Sequence, residues 1–174
     1  LPGGWITYGE SVDHAAKRLL YSLTGIKDIY LEQLKAFGDP NRYPTKRVVT
    51  IAYYALVNEE NYSLMPGYTA SDAQWFSIHE IPDLPYDHNS ILKYGYQQLK
   101  HYVRHEPIGF NLLPEKFTLL QLQELYEAIL ETKLDKSNFR RKLAKMKLLK
   151  KSNEKQKDVS HRAAGLYQFD KRVY

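Results

Sequence analysis

The sequence predicts an α/β (α+β) chain in two parts. A body of interleaved helices and strands comes first, and a smaller basic unit of two helices and a hairpin follows. Three observations predict this. Helical apolar stripes alternate with short β-branched and aromatic runs as far as residue 104. Beyond that point two helical stripes are followed by two strand-sized runs. The charge also changes sign along the chain. Asp135 to Tyr174 hold thirteen basic and four acidic residues, a net +9, whereas Leu1 to Leu134 hold 12 basic and 16 acidic, a net −4. The overall +5 on 174 residues hides an acidic body with a basic end, and such asymmetry points to a polyanion, nucleic acid first.

Composition narrows the class. Hydrophobic residues make up 43% and charged residues 26%, which excludes a disordered chain, a fibre and a membrane bundle. The sequence has no cysteine, hence no disulfide framework, no thiolate metal site and no cysteine nucleophile. The longest mainly apolar run, Val48 to Val57, is strand-sized and well short of the ~18 residues that span a bilayer. No basic and apolar leader opens the chain. The expectation is a cytoplasmic protein that does not engage a membrane.

The elements follow in order. Ser11 is a good N-cap, Ala15, Ala16, Leu19, Leu20 and Leu23 form one apolar face, and Gly25 ends that helix. Ile29 to Phe37 reads as a strand closed by the turn Gly38-Asp39-Pro40-Asn41. Arg47 to Val57 reads as a second, central strand, Asn58 to Gly67 as loop, and Gln74 to Ile78 as a short strand. Asn89 to Val103 has helical spacing. Glu106-Pro107-Ile108-Gly109 is the best boundary, giving domains 1–104 and 105–174. Thr118 then caps a helix to about Leu130, and Asp135 caps a second, Lys136 to Met146, with Phe139, Leu143 and Met146 inward. Leu148 to Lys151 and Leu166 to Phe169 pair around the polar, basic loop Ser152 to Gly165.

Helix, turn, basic helix and basic-tipped hairpin make a winged helix-turn-helix pattern. The second helix of such a motif enters the major groove. Its candidate DNA-binding residues are Lys136, Ser137, Asn138, Arg140, Arg141, Lys142 and Lys145, with Lys155, Lys157, His161 and Arg162 on the wing. Asn138 suits adenine and arginine suits guanine, each bidentate pair giving roughly 1–3 kcal/mol of discrimination. Lys142 and Lys145 suit phosphate, which gives affinity without sequence. A winged helix can also bind RNA or protein, because a fold does not fix its partner.

The N-terminal residues carry a second pattern. Gly4-Trp5-Ile6-Thr7-Tyr8-Gly9-Glu10, Arg18, Leu20 and Gly25-Ile26 resemble the Nudix box with its framework spacing kept. The box's three metal-binding glutamates are replaced by Leu19, Ser22 and Leu23. Mg²⁺ needs hard oxygen ligands, and these side chains do not supply a carboxylate pair. Surviving Glu10 and Arg18 then read as loop holders. Ala36-Phe37-Gly38-Asp39-Pro40, Arg47 to Leu56, Tyr86-Asp87-His88, Gly109 to Pro114 and Leu134 to Lys142 extend the likeness over nearly the whole chain. The chain therefore resembles the Nudix-related transcriptional regulators.

That resemblance implies a Nudix-type mixed-sheet sandwich, with its N-terminal strands missing here, followed by the winged helix-turn-helix domain. It implies no catalytic residues, no metal and no cofactor. It implies a homodimer reading a double-stranded, palindromic operator as a repressor, under a small-molecule effector that is a sugar or ADP-ribose-like. The residues expected to bind the effector are Trp5, Arg42, Tyr43, Arg47 and Tyr53. The ADP-ribose branch often reads Asp-Pro-Arg-Gly-Arg where this chain has Arg42-Tyr43-Pro44-Thr45-Lys46-Arg47, and Gly-Arg-Pro-Ala where it has His161-Arg162-Ala163-Ala164. The sequence is thus more similar to the sugar-sensing branch of arabinose regulators, and a pentose such as arabinose is the expected effector. An ADP-ribose-sensing regulator and a residual Nudix pyrophosphohydrolase are the alternatives.

Overall fold

Helix α1 (Val12–Thr24) is fixed at both ends by its own sequence. The Ser11 side chain accepts from the His14 amide, and Gly25, at φ 76°, donates its N–H to the Tyr21 carbonyl. The left-handed cap is open to glycine without strain. The computed structural model describes residues 1–67, 70–105, 112–156, 163–170 and 172. They form two compact units, Leu1–Tyr96 and Gln97–Tyr174.

In the first unit, β1 (Glu32–Phe37) and β2 (Thr50–Tyr54) pair antiparallel, from Glu32 opposite Tyr54 to Phe37 opposite Thr50, with an irregularity between Gln33 and Lys35. The first half of α2 (His88–His105) lies near β1: the Phe37 and Tyr94 rings meet edge-on at 5.9 Å and Lys35 Nζ sits 3.8 Å from the Tyr94 centroid. Gly95 lies against Leu34 there, where a Cβ would stand at ordinary contact distance, 3.4 Å from Leu34 Cδ2. The expected turn after β1 forms, with the Asn41 amide donating to the Asp39 carboxylate at 2.8 Å.

Two expectations fail in this unit. Among the described residues β2 pairs with β1 alone rather than lying centrally. An apolar run reports burial, and not the number of strands beside it. Gln74–Ile78 is not a strand. The Asp72 carboxylate accepts from the Ala73 amide at 2.8 Å, bending the chain, and Trp75 and Phe76 stay exposed. β propensity without a partner edge does not make a strand.

The second unit has the denser core. Val103, on the last turns of α2, clusters with Phe117, Leu122, Tyr126, Ile129, Phe139 and Leu143. Thr118 and Gln121 form a reciprocal capping box at the start of α3 (Leu119–Leu130). Asp135 caps α4 (Lys136–Met146) by accepting from the Asn138 amide at 2.8 Å. Strands β3 (Leu149–Lys155) and β4 (Gly165–Phe169) pair antiparallel. Phe117 exchanges two backbone hydrogen bonds with Tyr167, at 2.9 and 2.8 Å, and so joins the hairpin to the start of α3. Fully buried Phe117 packs on Phe169 at 4.8 Å. The Glu106 to Gly109 boundary lies outside the described residues. Among the described residues no helix is long and apolar enough to cross a membrane.

Candidate functional site

The turn between α3 and α4 sets how α4 is presented. Glu131 ends α3 in the left-handed region at φ 53°. The Glu127 carboxylate then accepts from the Leu134 amide at 2.9 Å, from Gln123 Nε2 at 2.9 Å and from Lys133 Nζ at 3.0 Å. Those donors, Gln123 first, hold its pKa down at about 2. Gln123 also donates to the Leu134 carbonyl at 3.0 Å. Neither residue stood out in the sequence, because a carboxylate reaching seven residues ahead across a turn follows no helical spacing.

Phe139 and Leu143 bury one face of α4. Lys136, Ser137, Asn138, Arg140, Arg141, Lys142 and Lys145 are all exposed. Arg141 donates to the Asn138 side-chain oxygen, so the two polar groups best suited to base edges stand side by side. Lys142 Nζ donates instead to the Arg104 carbonyl at 3.0 Å.

The wing spends some of its charge on itself. Lys150 and Arg172 flank the buried Asp170 carboxylate at 3.0 and 3.1 Å, and Lys116 pairs with Glu154 at 2.5 Å. Lys155 is exposed at the end of β3. Lys157, His161 and Arg162 lie outside the described residues.

In the first unit the box residues hold a loop. Glu10 accepts from the Thr7 amide at 2.7 Å and from Arg18 at 2.5 and 3.0 Å, and Arg18 donates onward to the Trp5 carbonyl at 3.0 Å. Arg18, foremost, holds the Glu10 pKa down at about 2. At two of the positions where the box resemblance expects glutamate, Leu19 packs against Gly4, where a Cβ would stand 2.5 Å from Leu19 Cδ2, and Ser22 returns its hydroxyl to the Leu19 carbonyl at 3.1 Å. This donor set does not fit Mg²⁺, which takes hard oxygen ligands in an octahedral shell. Among the described residues no three His, Asp or Glu side chains come together as a metal site.

Four of the five expected effector residues have side-chain partners of their own. The Arg42 guanidinium, with a side chain 5% exposed, is bidentate to Asp87 at 2.7 and 2.8 Å and also donates to the Thr50 hydroxyl. The Tyr43 and Tyr86 rings pack at a tilt, with centroids 4.7 Å apart. Arg47 donates to the Gly38 and Asp39 carbonyls at 2.8 and 3.1 Å. These contacts shape residues 38–47 over the start of α2. Asp87 and Tyr86 were visible in the sequence only as part of a motif. Beside them, His88 Nδ1 is buried with no hydrogen-bond partner among the described residues, and burial lowers its pKa. Tyr53 donates to Asp13 on α1; burial first, then that carboxylate, raises the phenol to about 12. Trp5 is 68% exposed.

Comparison with known proteins covers both units. The family model for the NUDIX domain matches residues 1–99, and that for the NrtR DNA-binding winged helix domain matches residues 109–169. The chain is 31% identical over 173 residues to the ADPR responsive transcriptional repressor NtrR of Acinetobacter baylyi, covering 97% of this chain and 68% of that protein. The crystal structure of Shewanella oneidensis NrtR complexed with a 27mer DNA superposes with a TM-score of 0.78 at 27% identity, over 99% of this chain and 80% of that one. The NUDIX domain of the same protein complexed with ADP ribose superposes with a TM-score of 0.52 at 27% identity, over 56% of this chain and 66% of that one.

Proposed function

The chain belongs to the NrtR family, a Nudix domain followed by a winged helix, and on that premise we propose that it is an ADP-ribose-responsive transcriptional repressor. The observation that carries the DNA reading is α4. One of its faces is buried and the other holds Asn138, Arg141, Lys136, Arg140 and Lys145 in the open. In this reading Asn138 and Arg141 meet base edges, while Lys136, Arg140 and Lys145 meet phosphates. Two copies of the chain as a homodimer would read a pseudo-palindrome, because half-site symmetry mirrors protein symmetry. The protein would then work in the cytoplasm.

The effector reading rests on the likeness to an ADP-ribose-responsive repressor over nearly the whole chain. Aromatic rings and arginine forks suit an adenine ring and a diphosphate. Trp5, Tyr43, Arg47 and Tyr53 are the proposed contacts, and Arg42 shapes the loop that bears two of them. Leu19, Ser22 and Leu23 leave the signal intact, since a sensor that hydrolysed its ligand would erase its message. The effector shifts DNA affinity only by the difference in its binding to the two arrangements of the protein.

A free sugar such as arabinose is the second reading. It is favoured by the run Arg42-Tyr43-Pro44-Thr45-Lys46-Arg47 and by an Arg42 guanidinium already taken by Asp87. Thermal shift separates the two, because a ligand of the native state alone raises its stability by RT ln(1 + [L]/Kd). The expected result is a rise in Tm with ADP-ribose and none with arabinose. A rise with arabinose alone overturns the ADP-ribose reading.

A further inference from the structure

Lys142 differs from the other cations of α4 in its partner, a backbone carbonyl of another helix. At about 100° per residue Lys142 and Lys136 each lie about 60° around the helix from buried Phe139, on opposite sides, whereas Arg140 lies about 100°, Lys145 about 120° and Arg141 about 160° away. Lys142 therefore sits at the margin of the core-facing side. Its ammonium donates to the Arg104 carbonyl at 3.0 Å. That carbonyl belongs to the last turn of α2, whose C=O groups have no partner within their own helix. A cation is also favourable at a helix C-terminus, where the backbone dipoles leave partial negative charge. The same two helices share the apolar cluster of Val103, Phe139 and Leu143. Arg140, Lys136 and Lys145, by contrast, have no hydrogen-bond or ion-pair partner among the described residues.

We infer that Lys142 is a positioning residue, pinning α4 to the C-terminal end of α2 and so setting how Asn138 and Arg141 meet the bases. It is not a phosphate contact. Buried Phe139 and Leu143 fix the depth of α4, and apolar packing leaves rotation about the helix axis loosely set. A hydrogen bond at the margin of the buried face restrains that rotation. Turning α4 by a few degrees moves the Arg141 guanidinium sideways relative to a base pair, and bidentate readout tolerates little displacement.

This inference rests on the DNA-binding reading, and the test separates the two. Operator and scrambled duplexes are titrated with the full chain and its Lys142→Met, Lys142→Arg and Lys145→Met variants across a salt series. Each phosphate contact contributes about 0.9 to the slope of log K against log salt. The expected result for Lys142→Met is an unchanged slope, unchanged affinity for scrambled DNA, and a loss of roughly fivefold or more in the operator-to-scrambled ratio, as from one spoiled bidentate pair. Lys142→Arg, which keeps a donor at that carbonyl, restores the ratio. Lys145→Met lowers the slope by about 0.9. A slope that falls by the same amount in Lys142→Met overturns the inference, as does an unchanged ratio. A native chain that does not distinguish operator from scrambled DNA overturns the DNA-binding reading itself.

Discussion

Replacing Arg42 with methionine tests what its guanidinium is for. The change keeps much of the apolar stem and removes three donors. Two of those meet Asp87, at 2.7 and 2.8 Å, and one meets the Thr50 hydroxyl. Removing one partner of a buried ion pair costs about 3–5 kcal/mol, chiefly because the other charge is stranded. The Asp87 side chain is 22% exposed, so water recovers part of that loss, and about 2–3 kcal/mol is the expected cost. In a unit of this size each kcal/mol moves the midpoint by about 4–8 °C, so the first unit should melt roughly 8–24 °C lower. Calorimetry of the full chain, with Arg42→Met, Asp87→Asn and the double variant, measures it. The double variant should cost less than the two single changes together, by about 1.5 kcal/mol or more, since the partners are in contact. If Arg42→Met melts with the native chain and only weakens ADP-ribose binding, Arg42 serves the ligand and the structural reasoning is refuted.

The Glu127 carboxylate is held at about 2, below the ordinary value of 4.5, so its stabilising effect is present above pH 4.5 and fades as pH falls toward 2. Glu127→Gln should therefore melt below the native chain at pH 6, with the gap closing near pH 2; a gap constant with pH contradicts this. Arg141→Ala should weaken operator binding by roughly 1–3 kcal/mol in a gel shift, and unchanged affinity would disprove the assignment of α4 to base readout. Incubation of the native chain with ADP-ribose and Mg²⁺ should release no AMP, because Leu19, Ser22 and Leu23 offer no carboxylate pair to hold the ion; sustained turnover would mark it as an enzyme.

What could be read directly from the sequence follows the range of each interaction. Ser11, Gly25, Thr118 and Asp135 act on neighbours within four residues, and the bounds of α1, α3 and α4 follow from them. The winged-helix pattern was legible for the same reason, being a series of local signals in order. Gln74–Ile78 had strand composition, but a strand also needs an edge to pair with, and that information is not local. The Arg42 to Asp87 pair joins residues 45 apart, and Lys142 reaches back 38 residues to Arg104. Charge alone points both cations toward a ligand, because it does not reveal an acceptor brought near by folding. The +9 tail illustrates the same limit, since the solvent-exposed side chains of Lys150 and Arg172 pair with the buried Asp170 carboxylate.

A repressor of this kind holds its operator until ADP-ribose releases it, and the decisive experiment begins by selecting the tightest duplex from a randomised pool with the full chain. That complex is then titrated with ADP-ribose in a gel shift at fixed salt. The expected outcome is a pseudo-palindromic duplex, bound selectively and released by ADP-ribose. Failure to enrich any sequence, or a selective complex that ADP-ribose leaves intact at millimolar concentration, would contradict it.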